Sequence, residues 1–159
     1  MAAPAIFTEK EKASLRELNR QGVDYMIVGL SAAALQGAPA VTQAIELWFR
    51  DVADPGLKKA LDKVGAIYIP PTATTPPVLA GRSVALFDVV LKMHGLEGFE
   101  VEAADAIEMS LGRLTVKVLR LDRIITSKKA AGREKDRLIL PVLEDAAAVL
   151  RSKRPRRRS

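Results

Sequence analysis

Apolar positions fall into short runs separated by amphipathic stretches. Residues 8–21 place Leu15 and Leu18 on one helical stripe, with Thr8 as N-cap, Glu11 three residues on as its capping-box partner, and Gly22 as a stop. Val23–Val28 is a continuous apolar run with aromatic and β-branched members, the pattern of a buried strand. Gly29 ends it, and Ser31–Leu35 opens a short helix that stops at Gly37. Thr42–Phe49 reads as a second strand. Asp54-Pro55 sets an N-cap and a first-turn proline for a helix through about Val64.

Four prolines in Pro70–Pro77 exclude a helix or central strand and leave an extended loop. Val84–Leu91 is a third apolar strand, and Gly95–Ala104 reads as a loop. Ile107–Leu111 and Leu114–Leu119 flank Gly112-Arg113 as a hairpin with a two-residue turn. Asp122 caps a helix through Ala131, and a last helix covers about Arg133 to Leu150, with Pro141 as a kink or break. The predicted order is α-β-α-β-α-loop-β-β-β-α-α, an α/β or α+β arrangement with helices packed on a mixed sheet.

Composition changes this picture in two places. With 159 residues and 48% apolar content the chain can bury one ordinary core, and residues 1–150 are expected to form a single domain. The absence of cysteine excludes disulfides, thiolate metal sites and a cysteine nucleophile, and the lone His94 excludes a multi-histidine centre. No apolar run reaches the ~18 residues of a membrane span, and the first residues lack a signal-peptide pattern, so a soluble cytoplasmic protein is expected. The net charge of +6 belongs to the basic residues of 151–159, read as a disordered tail that binds nucleic acid weakly and non-specifically. Within residues 1–150 charge is polarised: 113–137 is basic, while 1–112 is acidic.

Three places could carry chemistry. The Gly29–Ser31 junction between strand and helix presents backbone N–H groups suited to phosphate. Glu46 and Asp88 each lie inside an apolar strand. If those strands are neighbours, the two carboxylates could hold a divalent cation; otherwise each points to solvent or meets Arg50 or Lys92. Lys128, Arg133 and Lys135 could neutralise phosphate, or could simply be a solvated helix junction.

These places occur in a familiar order. Tyr25–Gly37 followed by Thr42-Gln-Ala-Ile-Glu-Leu-Trp48 resembles the opening of the small nucleotidyltransferase-fold family, whose relatives include abortive-infection and toxin-type members. Asp88 looks like that family's third carboxylate, and Leu121–Asp136 resembles its late Lys…Gly-Arg-x-Lys-Asp helix pair. The resemblance implies a nucleotide site at Gly29, Ser31, Lys128, Arg133, Lys135 and Asp136, with Glu46 and Asp88 as catalytic, Mg-binding carboxylates and NTP as ligand.

This sequence departs from the pattern at the site. The first carboxylate of Asp-x-Asp is Ala44, the second is Glu46, the second turn glycine is Leu30, and the histidine before Gly37 is Gln36. Leu30 is expected to obstruct phosphate. Two-metal phosphoryl transfer needs several carboxylates, so magnesium is expected to bind weakly or not at all. The chain therefore reads as a catalytically degenerate nucleotide- or protein-partner-binding module, of the kind used in toxin–antitoxin or phage-defence pairs. An active transferase moving NMP from NTP to an RNA, protein or small-molecule acceptor stands as the alternative.

Overall fold

The structure is a computed structural model and describes residues 7–153. Its elements are α1 (Glu9–Arg20), β1 (Tyr25–Val28), α2 (Gly29–Leu35), β2 (Ile45–Phe49), α3 (Pro55–Lys63), β3 (Ile67–Ile69), β4 (Val78–Ala80), a 3-10 turn (Arg82–Val84), β5 (Phe87–Val90), α4 (Phe99–Ala104), β6 (Ile107–Leu111), β7 (Leu114–Val118), α5 (Leu121–Ala131) and α6 (Glu134–Lys153). The strands form one mixed sheet in the order β3-β4-β5-β2-β1-β7-β6.

The centre of the sheet is covered on both faces, which is why β1 is buried at every position. Strand alternation sorts the side chains. Leu47 and Phe87 point to one face, where they meet Leu18 of α1 and Leu61 of α3. Val28, Glu46 and Val90 point to the other, toward α5. The α4 helix locks onto that second face, where Phe99 sits edge-on to Trp48 at 5.7 Å.

Several expectations hold. Strands β1 and β2, the loop at 70–77 and the two-residue hairpin turn are all present, with Leu111 paired to Leu114 across the turn. Gly112 takes φ 70° there, a conformation that disfavours any side chain. At the first helix Thr8 is the N-cap, but no capping box forms. Its hydroxyl donates to the Glu11 side chain at 2.5 Å, and no side chain caps the backbone.

Other expectations are corrected. Residues 67–69 and 78–80 form strands, although each is only three residues long and proline-rich sequence lies between them. The segment 84–91 yields strand only at 87–90, preceded by the 3-10 turn. The expected loop 95–104 ends in helix α4. There Glu102 is buried and held by a bidentate Arg123 at 2.8 and 2.7 Å, and this pair compensates for the helix's shortness.

Asp122 is not the cap of α5. The cap is Arg120, and Asp122 lies in the first turn. Pro141 does not break α6: it is exposed, while Leu143 and Ala147 bury the opposite side, so packing carries the helix past the missing hydrogen bond. Residues 151–153, expected in a disordered tail, continue α6; the rest of that expected tail, residues 154–159, lies outside the described residues.

Candidate functional site

The site spans one face of two neighbouring parallel strands, beside the turn that ends β1. β2 and β5 pair in parallel with Glu46 directly beside Asp88, so the two carboxylates share one sheet face. Beside them a cleft of about 320 Å³ opens between β1, β2, the segment after β5, and α5 with the start of α6. Gly29, Glu46, Lys128, Arg133 and Lys135 line it, as the sequence suggested. Asp88 does not line it; it is exposed on the neighbouring strand.

Glu46 is turned inward. Its Oε2 accepts the Ser31 backbone N–H at 3.3 Å and lies 3.1 Å from Ser31 Oγ, which also lies 2.8 Å from the Val28 carbonyl. The Glu46 N–H donates back to Ser31 Oγ at 3.1 Å. Ser31 is fully buried by this exchange. Gly29 has φ 63°, and a Cβ there would collide with Glu46 Oε2. The dihedral therefore favours glycine, and a side chain there would also displace the carboxylate packed against the turn. Burial pushes the Glu46 carboxyl above the usual range. Hydrogen bonds from Ser31 and the charge of Lys128 oppose this, and the charge of Asp88 adds to it.

Leu30 plays no obstructing part. It packs against the core and does not line the cleft, so Glu46 takes the space beside the glycine turn. Gln36 is a latch between elements: its Nε2 donates to the Leu119 carbonyl at 2.8 Å, and its Oε1 accepts from the Leu121 N–H at 2.9 Å. Neither expected alternative partner of Glu46 is used. Arg50 instead meets Glu100 at 3.0 Å and Asp24 at 3.5 Å.

Across the cleft, Asp136 organises the cations. It is fully buried and lies 2.7 Å from Arg133 Nε and 3.3 Å from Lys128 Nζ. The Arg133 contact chiefly holds its carboxyl down at about 2. Asp136 therefore does not line the cleft surface; it fixes the two residues that do. Lys92, named from the sequence only as a possible partner of the acids, and Met93 and His94, given no cleft role there, line the cleft directly after β5. Their signal was positional, because they follow β5 directly and Val90 at its end lines the same cleft.

The donor set does not fit a pair of magnesium ions. Ala44 offers no ligand atom, Glu46 is committed to Ser31, and among the described residues no third Asp, Glu or His joins them in a metal-holding group.

Sheet order, parallel β2–β5 pairing and helix placement define a nucleotidyltransferase fold. The chain is similar in structure to the antibiotic-resistance factor ANT(2'')-Ia in solution, at 15% identity and TM-score 0.54, over 89% of each chain. A crystal structure of ANT(2'')-Ia in complex with adenylyl-2''-tobramycin aligns at 14% identity and TM-score 0.53, over 89% of this chain and 94% of that one. An antigenic nucleotidyltransferase-like protein from Paracoccidioides brasiliensis aligns at 16% identity and TM-score 0.51, over 93% and 90%. No family model matches the chain, and no curated protein does so by sequence. Among the described residues no helix is long and apolar enough to cross a membrane.

Proposed function

We propose that this chain binds the polyphosphate of a nucleoside triphosphate through lysine and arginine, without a catalytic metal, and does not transfer the nucleotidyl group. The observation that carries the reading is the charge of the cleft. Lys92, Lys128, Arg133 and Lys135 line it against one carboxylate, Glu46, whose ionised form burial disfavours. Asp136 neutralises part of that charge and leaves a cationic surface. The ANT(2'')-Ia structure in complex with adenylyl-2''-tobramycin supports a nucleotide as the ligand class. Ala44 and the inward Glu46 support the loss of transfer.

Magnesium removes charge from ATP, so a site built from cations alone should bind ATP at least as well in EDTA as in Mg²⁺. Calorimetry under both conditions tests this. Comparable or tighter binding in EDTA is expected, and binding that collapses in EDTA overturns it. Radiolabelled NTP with Mg²⁺ or Mn²⁺ and RNA or protein acceptors should give no labelled product. Robust transfer that disappears in Asp88→Ala would establish the active-transferase reading instead.

A further inference from the structure

We propose that the groove between edge strand β6 and the last turns of α6 docks an extended, acidic segment of a partner protein. The groove measures about 520 Å³ and lies apart from the nucleotide cleft. Ile107, Met109, Leu121 and Leu150 supply apolar lining; Arg120, Arg151, Lys153 and one acid, Asp122, supply charge.

The covering layer of helices stops one strand short of the sheet edge. On β7, Val116 and Val118 are 2% and 0% exposed. Their register partners on β6, Met109 and Ile107, are only partly buried. β6 is also a weakly guarded edge: it is the last strand of the sheet, its pairing with β7 runs without a bulge, it contains neither proline nor lysine, and its one charge, the exposed Glu108, alternates to the face opposite Ile107 and Met109. Such edges usually carry one of these guards, because their outer N–H and C=O groups invite another strand. A strand added there would use those groups and extend the apolar row of Ile107 and Met109.

Charge selects the occupant. Arg120 is already engaged by Asp105, with its Nε 2.6 Å from the Asp105 carbonyl. Among the described residues, Arg151 and Lys153 form no ion pair. Pairing of two β6 edges from two copies would bring these cations together, which disfavours a second copy of this chain. The groove lining contains no aromatic side chain for base stacking, which disfavours a nucleic acid. A segment with alternating apolar and acidic residues satisfies edge, floor and rim together.

The test is selection of 12-residue peptides from a random displayed library on the full chain, followed by affinity measurement on the chain and on R151E/K153E, two exposed changes at a helix end that leave the core intact. Enriched peptides should alternate apolar residues with Asp or Glu, bind at least tenfold more weakly to R151E/K153E, and shift the methyl resonances of Ile107 and Met109. Enrichment of peptides without acids, unchanged affinity in the variant, methyl shifts confined to the nucleotide cleft, or no enrichment at all overturns the proposal.

Discussion

The two walls of the cleft treat their carboxylates in opposite ways. On the sheet wall, Glu46 stands beside the like charge of Asp88 on the neighbouring strand and is turned onto Ser31. On the helix wall, Asp136 is buried completely, yet its carboxyl titrates well below the usual range because Arg133 and Lys128 close over it. Burial alone therefore does not decide how a carboxylate behaves. Glu46 is partly buried beside polar groups and is pushed up; Asp136 is wholly buried beside cations and is pulled down. The wall expected to do chemistry is the less well satisfied one, and the wall expected to bind phosphate rests on a structural ion triad.

The largest test of this contrast is Asp136→Ala. It leaves Lys128 and Arg133 without their buried partner and should cost about 3 kcal/mol, lowering Tm by roughly 6–12 °C. The pH dependence has a definite sign. The folded carboxyl titrates at about 2 against an ordinary value of 3.8, so its stabilisation is complete above 3.8 and is lost as pH falls toward 2. The deficit of the variant in denaturant titrations should therefore shrink below pH 3.8. A deficit that stays constant to pH 2 would mean that Asp136 acts by packing alone.

Next in size is Lys128→Gln, which asks whether the helix wall serves ligand as well as fold. Loss of one charge-assisted contact to phosphate should weaken ATP about tenfold by calorimetry. Reduced stability with unchanged ATP affinity would confine Lys128 to its Asp136 pair.

Glu46→Gln probes the opposite wall and should have a smaller, favourable effect. If the cleft cations bind phosphate as proposed, removing the anion beside them should tighten ATP about threefold, roughly 0.6 kcal/mol. Between the ordinary glutamate value and the raised value of Glu46, the folded chain retains a proton that the unfolded chain has released. Wild-type stability therefore falls as pH rises through that window. Glutamine cannot ionise, so the variant should lack this fall and gain over wild type above the window, with no gain below it. Weaker ATP binding in the variant would instead make Glu46 a ligand-holding residue.

Much of this contrast was invisible along the chain. The strands bearing Glu46 and Asp88 were legible, because apolar runs around a lone acid mark buried strands, while their pairing was left open. The return of Glu46 to Ser31 was not: it depends on the left-handed turn at Gly29, which brings residues fifteen apart within hydrogen-bond distance. Asp136 read as a ligand residue because the Gly-Arg-x-Lys-Asp string carries no sign of which charge is buried. Leu30 read as an obstruction because position alone could not show that it faces the core. The short elements failed for a related reason. β3, β4 and α4 span too few residues to display a period, and they persist through partners supplied elsewhere, such as Arg123 for Glu102.

The smallest expected effect is that of Asp88→Asn, and it separates the two readings of the sheet wall most cleanly. Asp88 is exposed and lies outside the cleft lining, so stability should change by less than about 0.5 kcal/mol and ATP affinity by less than about twofold. One property should still move. The charge of Asp88 contributes to the raised titration of Glu46, so its removal should lower the Glu46 pKa, measurable from carboxyl carbon shifts against pH. A lowered value with unchanged ATP binding means that the two carboxylates meet only as like charges. If instead ATP binding in Mg²⁺ falls sharply while binding in EDTA is untouched, the pair holds a cation after all and the sheet wall retains its metal chemistry.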